Sequence, residues 1–288
     1  MAHLPTFEEI CKQVQTDKCL PTRVDDHQYH RVYPRFLEPI RNTRLKMLEI
    51  GLGCDMTYGP GHSVALWKAY LPRVELWEAE VDQACAAAYN SSLDHRVLAG
   101  NQRDPDVLRE WVRLSSGGFH VIVDDGSHVS HDQFAAFSVL WDALEPRGFY
   151  FFEDVHYVSN RSEATTRSRS AMLEVVGEWG MRLAGAKSRF SYRHSHRATA
   201  AMSERIGGLD VPEGLPRGLF SVACFHDICV LEKGPPGFEQ PAYKVINRTK
   251  SRKAVVLASP ADERNVPSPP PLPRPTALGR SRTRRKAI

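Results

Sequence analysis

The strongest constraint on the fold of this chain is a regular alternation of strand-like and helix-like segments across its first half. The run FHVIVDD, residues 119–125, is nearly continuous in apolar side chains, which is typical of a strand buried on both faces of a parallel sheet. Strand–helix repeats of this kind predict a doubly wound α/β fold, because parallel strands need a crossover between them. The run SVACFHDICVLEK, residues 221–233, predicts a hairpin. We therefore expect a mostly parallel, seven-stranded sheet with a C-terminal antiparallel hairpin.

Composition divides the chain into three regions. Residues 1–46 predict a helical lead-in that acts as a lid, and residues 47–234 predict the α/β domain. Residues 235–288 include seven prolines between Pro260 and Pro275 and end in RSRTRRKAI, a composition that predicts a disordered tail. The last 49 residues carry 12 lysines and arginines but two acids, whereas the whole chain has a net charge of +4. The tail is therefore basic and the remainder mildly acidic.

Neither a membrane span nor a secretion signal is expected. No stretch reaches the roughly 20 apolar residues that a transmembrane helix needs, and the N-terminus MAHLPTFEEICKQ has acids where a signal peptide has bases. We therefore predict a cytoplasmic protein. Its six cysteines lack CxxC spacing and should be free thiols in that compartment. Cys224 and Cys229 can face each other across the predicted hairpin, where a structural pair is favoured over a redox pair.

The segment MLEIGLGCDMTYGPGHS, residues 47–63, predicts a cofactor site after the first strand. A glycine-rich turn between strand and helix lets backbone N–H groups approach a nucleotide-like ligand closely. Gly51 and Gly53 fit the start of a dinucleotide-binding pattern, but Met56 stands at the third glycine position. S-adenosylmethionine fits better, because methyltransferases that use it have acids on the first strand and at the end of the second. A tight turn without a ligand stays open as an alternative.

The side chains expected to bind this methyl donor lie at the carboxyl ends of predicted strands. Glu80 ends the second strand and is placed to accept both ribose hydroxyls, with Asp82 as the nearby substitute. Asn101 and Gln102, just past the third strand, lie where an adenine edge would be recognised. In an open α/β sheet, the binding crevice forms at these ends, where the strand order reverses. The complete predicted set is Glu49, Gly51, Gly53, Tyr58, Glu80, Asp82, Asn101, Gln102 and Asp124.

Acidic side chains also follow two neighbouring strands. Asp124 and Asp125 end the fourth strand, and Glu153 and Asp154 end the fifth. Adjacent strands are about 5 Å apart, so these carboxylates should meet. Unpaired acids at that spacing repel each other unless a cation joins them, and hard oxygen ligands suit Mg²⁺. The alternative, in which Asp125 caps the following loop and the other pair is a solvated turn, stays open.

Several motifs together resemble one family. TDK (16–18) and HQYHRVY (27–33), followed by MLEIGLG, VDDGSH, FFEDVH and FHDICVLEK, are similar to motifs of the metal-dependent sugar O-methyltransferases of macrolide biosynthesis. These are the macrocin and mycinamicin type, with cephalosporin-hydroxylase-like relatives. The resemblance covers about residues 16–233. Asn101 departs from the acid expected at that position in relatives.

The resemblance assigns the reacting groups. It implies that the general base is His128 and that the chain associates with itself. It also implies a metal site formed by Asp125, Glu153 and Asp154. His131 and His156 are weaker candidates for the base.

These predictions combine into one activity. We expect methyl transfer from S-adenosylmethionine to a hydroxyl of a sugar or other small natural product, with Mg²⁺ lowering the pKa of that hydroxyl and His128 taking its proton. A vicinal diol of a sugar suits such a site, and so does a catechol. Residues 1–46 and 155–217 are expected to recognise the acceptor. Two alternatives stay open: methylation of a protein or nucleic acid, and a non-catalytic donor-binding protein. Nucleic acid is disfavoured because the basic tail has almost no aromatic residues for base stacking.

Overall fold

The computed structural model describes residues 4–19, 27–155, 171–185 and 214–240. Its strands, numbered along the chain, are β1 Leu45–Ile50, β2 Val74–Glu80, β3 Val97–Ala99, β4 Phe119–Asp124, β5 Leu144–Phe152, β6 Leu219–Cys224 and β7 Cys229–Lys233. They form one sheet in the order β3-β2-β1-β4-β5-β7-β6, in which β7 is antiparallel to both of its neighbours and the other pairings are parallel. The predicted fold, a mostly parallel seven-stranded sheet with an antiparallel hairpin, is confirmed.

Helices connect these strands and cover the sheet. The described α-helices are α1 Phe7–Cys11, α2 Tyr33–Leu37, α3 His62–Tyr70, α4 Gln83–Asn90, α5 Pro105–Ser115, α6 Ser130–Leu140 and α7 Ala171–Leu183. The local sequence explains where α5 begins. Asp104 accepts a hydrogen bond from the backbone N–H of Asp106, and Pro105 occupies the first helical position, where its missing N–H removes no helical bond.

The central strand β4 contributes to two separate apolar cores. Phe119 and Ile122 pack in the core that includes residues of α5, α6 and α7. Val121 and Val123 pack in the core that includes residues of α1, α2 and α3. All four side chains are fully buried. This two-sided burial is the physical reason for the apolar run that the sequence shows here.

The described part of the N-terminal lead-in shares the second of these cores. The ring of Phe7 on α1 lies 4.9 Å from that of Tyr70 and 6.1 Å from that of Trp67, both on α3. Tyr29 and Tyr33 are fully buried in the same cluster. The lead-in therefore packs against the sheet domain as part of its hydrophobic core.

The cysteines differ from the prediction. All six form disulfides, in the pairs Cys11–Cys19, Cys54–Cys85 and Cys224–Cys229. The prediction of free thiols is therefore wrong for this structure. Pairing depends on the distance between Cβ atoms in the folded chain, which the spacing of cysteines along the sequence does not reveal. The expected cross-strand pair is confirmed, because its two residues are directly opposite each other on β6 and β7.

The compact part of the chain continues past residue 234. The side-chain amide of Gln240 donates to the carbonyl oxygens of Pro216 at 2.8 Å and Leu219 at 3.1 Å. The chain divides into two units, Met1–Tyr243 and Lys244–Ile288. The predicted tail from residue 241 onward lies outside the described residues. Among the helices of the described ranges, none combines the length and apolar character needed to cross a bilayer.

Candidate active site

A cavity of about 690 Å³ opens at the carboxyl ends of β1, β2 and β4, where the strand order reverses between β1 and β4. The predicted residues that line it are Gly51, Gly53, Tyr58, Glu80, Asp82, Asn101, Gln102, Asp125 and His128. Glu49, Asp124, Glu153 and Asp154 are not part of this lining. The structure therefore brings together most of the predicted donor-binding residues in one cavity.

The glycine at the end of β1 lets two loops approach each other closely. Gly51 has a φ of +108°, and a Cβ atom there would lie 2.2 Å from the carbonyl oxygen of Asp125. Its N–H donates to the carbonyl of Ala79 on β2. A larger residue would push the β4 loop away. A side chain has no room here because the two loops meet. The absence of a side chain also lets a ligand approach the backbone closely.

On the ribose side, the structure distinguishes Glu80 from its proposed substitute. The side chain of Asp82 accepts from the backbone N–H groups of Ala84 and Cys85, so it caps α4. Glu80 accepts a hydrogen bond of 2.9 Å from the N–H of Asp82, which holds the carboxylate at the cavity wall. Glu80 is therefore held at the cavity wall by one backbone N–H group, whereas Asp82 caps a helix.

Gln102 joins the adenine side of the cavity to a buried acid. Its side chain donates to Asp124 at 3.0 Å and accepts from the N–H of Ser127 at 2.9 Å. Asp124 is fully buried and also accepts from the hydroxyl of Tyr150 at 3.3 Å. Burial raises the pKa of Asp124 to about 6. Both carbonyl and amide of Gln102 are thus engaged within the protein, and Asn101 is the more exposed neighbour.

Two predicted donor-binding acids lie behind the cavity wall. Glu49 is fully buried and accepts from the indole N–H of Trp67 at 2.9 Å. Asp124 accepts from Tyr150 through one carboxylate oxygen and from Gln102 through the other. Neither lines the cavity, so a direct donor contact for either one stays a prediction. Successive side chains of a strand point to opposite faces, which separates Asp124 from Asp125.

Three side chains converge beside the cavity in an arrangement that could hold a metal ion. One ligand atom each from Asp125, His128 and Asp154 lie within 4.8 Å of one another. His128 Nε2 is 3.6 Å from Asp154 Oδ2. Tyr29 donates its hydroxyl to Asp154 Oδ1 at 3.2 Å, and His27 Nε2 lies 3.3 Å from the same oxygen. Asp154 is therefore held through Oδ1, while its Oδ2 faces His128.

Glu153, the third predicted metal ligand, lies deeper. It is fully buried, and its two carboxylate oxygens accept from Lys18 Nζ at 2.9 Å and from the hydroxyl of Tyr33. Its burial, and next the nearby charge of Asp125, raise its pKa. Protein donors therefore engage both carboxylate oxygens of Glu153.

Lys18 is a residue to which sequence reasoning gave no role. Its ammonium contacts Asp125 Oδ2 and lies 3.4 Å from Glu49. Burial alone would lower its pKa, but Asp125, Glu153 and Glu49 outweigh that effect and hold the pKa of Lys18 well above its ordinary value. The lysine is part of the TDK motif, yet only the tertiary structure places it among the acids.

The remaining candidates for the base are less well placed. His131 Nδ1 lies 3.0 Å from its neighbour Asp132, and His131 is absent from the cluster of possible metal ligands. His156 lies outside the described residues, as does most of the predicted acceptor region, 155–217. Among the described histidines, His128 is the one that both lines the cavity and faces the acids.

The residues of the cavity and of the neighbouring acidic cluster fit the two groups that the sequence implies, a nucleotide-like methyl donor and Mg²⁺. A cavity with a bare glycine turn and an oriented acid suits a nucleotide-like donor. The carboxylates of Asp125 and Asp154 offer the oxygen ligands that Mg²⁺ prefers, and the imidazole of His128 beside them is of a kind that serves as ligand or as base.

The known proteins to which the chain is similar in sequence are named as O-methyltransferases. The chain is 35% identical over 151 residues to the L-olivosyl-oleandolide 3-O-methyltransferase of Streptomyces antibioticus, covering 52% of this chain and 37% of that protein. It is 34% identical over 130 residues to an 8-demethyl-8-alpha-L-rhamnosyl tetracenomycin-C 2'-O-methyltransferase of Streptomyces olivaceus, covering 45% and 33% respectively. The match thus spans about a third of the length of these curated relatives. No family model matches the chain.

Among solved structures, the chain is similar to the MycE methyltransferase of the mycinamycin biosynthetic pathway, in complex with Mg and SAH. The TM-score is 0.58 at 21% identity, and the alignment covers 81% of this chain and 56% of that one. The complex of the same enzyme with mycinamycin VI gives a TM-score of 0.57, with 80% of this chain and 55% of that chain covered. This likeness shows that the chain has the α/β methyltransferase fold.

Proposed function

We propose that this chain is an S-adenosylmethionine-dependent, Mg²⁺-assisted O-methyltransferase that acts on a hydroxyl of a sugar or other small natural product. One observation carries the proposal: the cavity lined by Gly51 and Glu80 is also lined by Asp125 and His128, beside Asp154. Donor and acceptor hydroxyl can therefore meet within one site. The relatives, which are named as sugar O-methyltransferases, support the choice of acceptor class.

When bound, the donor would supply an electrophilic methyl group, and Mg²⁺ would supply positive charge that lowers the pKa of the acceptor hydroxyl. Glu80 binds the donor ribose, and the bare turn at Gly51 leaves room for the rest of the donor. Asp125 and Asp154 would hold the metal, and Glu153 would support them from behind. His128 receives the hydroxyl proton on Nε2, because the carboxylate of Asp154, 3.6 Å away, stabilises the resulting imidazolium.

The proposal also covers acceptor selection, cellular location and self-association. Residues 1–46 and 155–217 select the acceptor, with a sugar favoured over a catechol because of the named relatives. In this proposal, the chain works in the cytoplasm and associates with itself. The three disulfides are more usual in oxidising compartments, so their redox state in cells bears directly on this location.

The first test is Asp125→Asn, which keeps the size of the side chain but removes a negative charge. Mg²⁺ affinity and turnover should both fall, and high Mg²⁺ should partly restore turnover by mass action. Donor affinity, measured by calorimetry, should stay near that of the wild type because the donor contacts the glycine turn. If neither EDTA nor this variant slows methyl transfer to a panel of glycosides and catechols, the metal-assisted mechanism is wrong.

The second test, His128→Ala, separates the base from the metal. Turnover should fall by roughly 10²–10⁴-fold, the usual contribution of a positioned base, with partial relief at raised pH. Metal affinity should stay close to that of the wild type. His131→Ala is the matched control, because that imidazole faces Asp132, and it should retain turnover. Equal losses in both histidine variants would contradict the assignment, and donor binding without any transfer would favour a non-catalytic role.

A further inference from the structure

The most unusual side chain outside the proposed reacting groups is Lys18, which is 1% exposed. Its ammonium lies among three carboxylates: it donates to Asp125 and Glu153 and is 3.4 Å from Glu49. The acids come from the ends of three adjacent strands, whereas the lysine comes from the N-terminal lead-in. A segment far away in sequence therefore supplies the positive charge beneath the carboxyl ends of β1, β4 and β5.

Two of the acids in this cluster also accept from neutral donors. Tyr33 donates its hydroxyl to Glu153, and Trp67 donates its indole N–H to Glu49. In the part of the chain that the structure describes, Lys18 is the lysine or arginine that forms ion pairs with these acids. An unpaired buried charge is strongly destabilising, and several like charges together repel one another. Each group is therefore tolerated here because the others are present.

The position of Lys18 is held by its neighbours along the chain. Cys19 is bonded to Cys11 of α1, and Phe7 of the same helix is buried among the aromatic rings of α3. Residues 16–18 also line the donor cavity. Residues 16–18 thus contribute to the cavity wall and, through Lys18, supply the positive charge beside the acids, and the Cys11–Cys19 disulfide anchors this segment to α1.

We infer that Lys18 is a positioning residue of the proposed metal site, whose ammonium is a resident cation that holds Asp125 and Glu153 together. This inference rests on the proposed function. With this cation in place, the carboxylate of Asp125 is oriented beside Asp154 and His128 before a metal binds. Without it, the acids carry uncompensated charge, and a divalent metal must supply more of the neutralisation. Stability should then depend on metal more strongly than in the wild type.

Thermal unfolding of the full chain tests this inference. The melting temperatures of the wild type and Lys18→Met are compared in EDTA and in saturating Mg²⁺. In EDTA, the variant should melt roughly 6–20 °C lower, as expected when one partner of a buried ion pair is removed. Mg²⁺ should raise its melting temperature by more degrees than that of the wild type. An equal Mg²⁺ response in the two proteins overturns the inference.

The control is Lys233→Met. Lys233 is partly buried, but its ammonium donates to the backbone carbonyls of Trp141 and Leu144 rather than to acids. Its replacement should lower the melting temperature without enlarging the Mg²⁺ response. An enlarged response here would show that any loss of a buried lysine produces the effect, which contradicts a specific role for Lys18.

The double variant Lys18→Met with Glu153→Gln decides whether charge is the cause. It removes one positive and one negative charge together, so in EDTA it should melt well above Lys18→Met. If the single variant does not fold, folding of the double variant supports the inference, and its failure to fold overturns it. A failure of the proposed function is recognised separately, as a wild-type chain that neither binds the donor nor transfers methyl groups.

Discussion

Glu80 and Asp82 are two residues apart, yet their surroundings give them different roles. Asp82 accepts from two N–H groups at the start of α4, while Glu80 is held at the cavity wall by the N–H of Asp82 itself. Under the proposed function, Glu80 is the better candidate for the ribose-binding acid because it does not cap a helix. The same reasoning separates Asp125, which lines the cavity, from Asp124, which does not.

Replacement of Glu80 tests its proposed contribution to donor binding. Glu80→Ala should weaken donor binding by roughly 1.5–3 kcal/mol, because it removes charge-assisted hydrogen bonds to the ribose. Isothermal titration calorimetry measures this loss directly. Glu110→Ala, at an exposed position on α5, is the control and should bind the donor like the wild type. Unchanged affinity in Glu80→Ala would transfer the role to Asp82.

His30 gives a prediction about pH. Its burial, and next the charge of Arg31, lower its pKa below the ordinary value of 6.5. A histidine whose pKa is lower in the folded state stabilises the protein above the pKa of the unfolded state, and this contribution is lost as the pH falls through the folded pKa. The wild type should therefore lose stability more steeply than His30→Gln on going from about pH 7 to about pH 5. Urea unfolding at a series of pH values checks this, and parallel curves would contradict it.

At the scale of elements, the turn after β1 is the decisive piece. It brings the end of β1 so close to the loop after β4 that Gly51 leaves no room for a Cβ atom. The same approach places the glycine turn and Asp125 on one cavity. Close backbone contact between the loop after β1 and the loop after β4 thus brings the glycine turn and Asp125 together.

Two glycines of this turn allow a matched comparison. Gly59→Ala places a residue at a φ of +89° with no atom within 4 Å of the new Cβ, so it should cost about 1–2 kcal/mol of backbone strain. Gly51→Ala adds a contact of 2.2 Å with the carbonyl of Asp125. It should destabilise the fold clearly more and abolish donor binding. Urea unfolding and calorimetry measure both effects, and equal destabilisation in the two variants would show that the close approach is unimportant.

At the scale of the whole molecule, the lead-in and the sheet form one structure. Aromatic contacts of Phe7 anchor α1, and this anchoring brings Lys18 beneath the strand ends. The last described residues behave similarly, since Gln240 bonds two carbonyls next to the hairpin. Segments from outside the alternating strands and helices therefore belong to the folded unit, and residues 16–18 of the lead-in line the cavity.

Truncation tests where the folded part ends. A chain that stops at Tyr243 should keep its melting temperature and donor affinity, because it retains Gln240 and loses the proline-rich basic segment. A chain that stops at Glu239 should melt a few degrees lower, since it loses two hydrogen bonds to backbone carbonyls. Scanning calorimetry compares the two. A large loss of stability in the longer chain would show that residues 244–288 contribute to the fold.

By itself, the sequence determined the fold class and the edge of the sheet that carries the cavity. Apolar runs such as FHVIVDD and helical spacing between them are local patterns, and parallel strands joined by helices have few possible arrangements. It also predicted Gly51, Glu80, Asp125 and His128 at one cavity, because residues at the carboxyl ends of neighbouring parallel strands must lie close together.

Only the tertiary structure decided which acids face the cavity and which cation they contact. Glu49 and Asp124 lie behind the wall because each follows the pleat of its strand, a difference of one residue that motif reading does not resolve. The ammonium of Lys18 reaches Glu153 across 135 positions of sequence, and the cysteines pair over separations of up to 31 residues. Such contacts depend on how distant segments pack in three dimensions, and no local pattern along the chain records that packing.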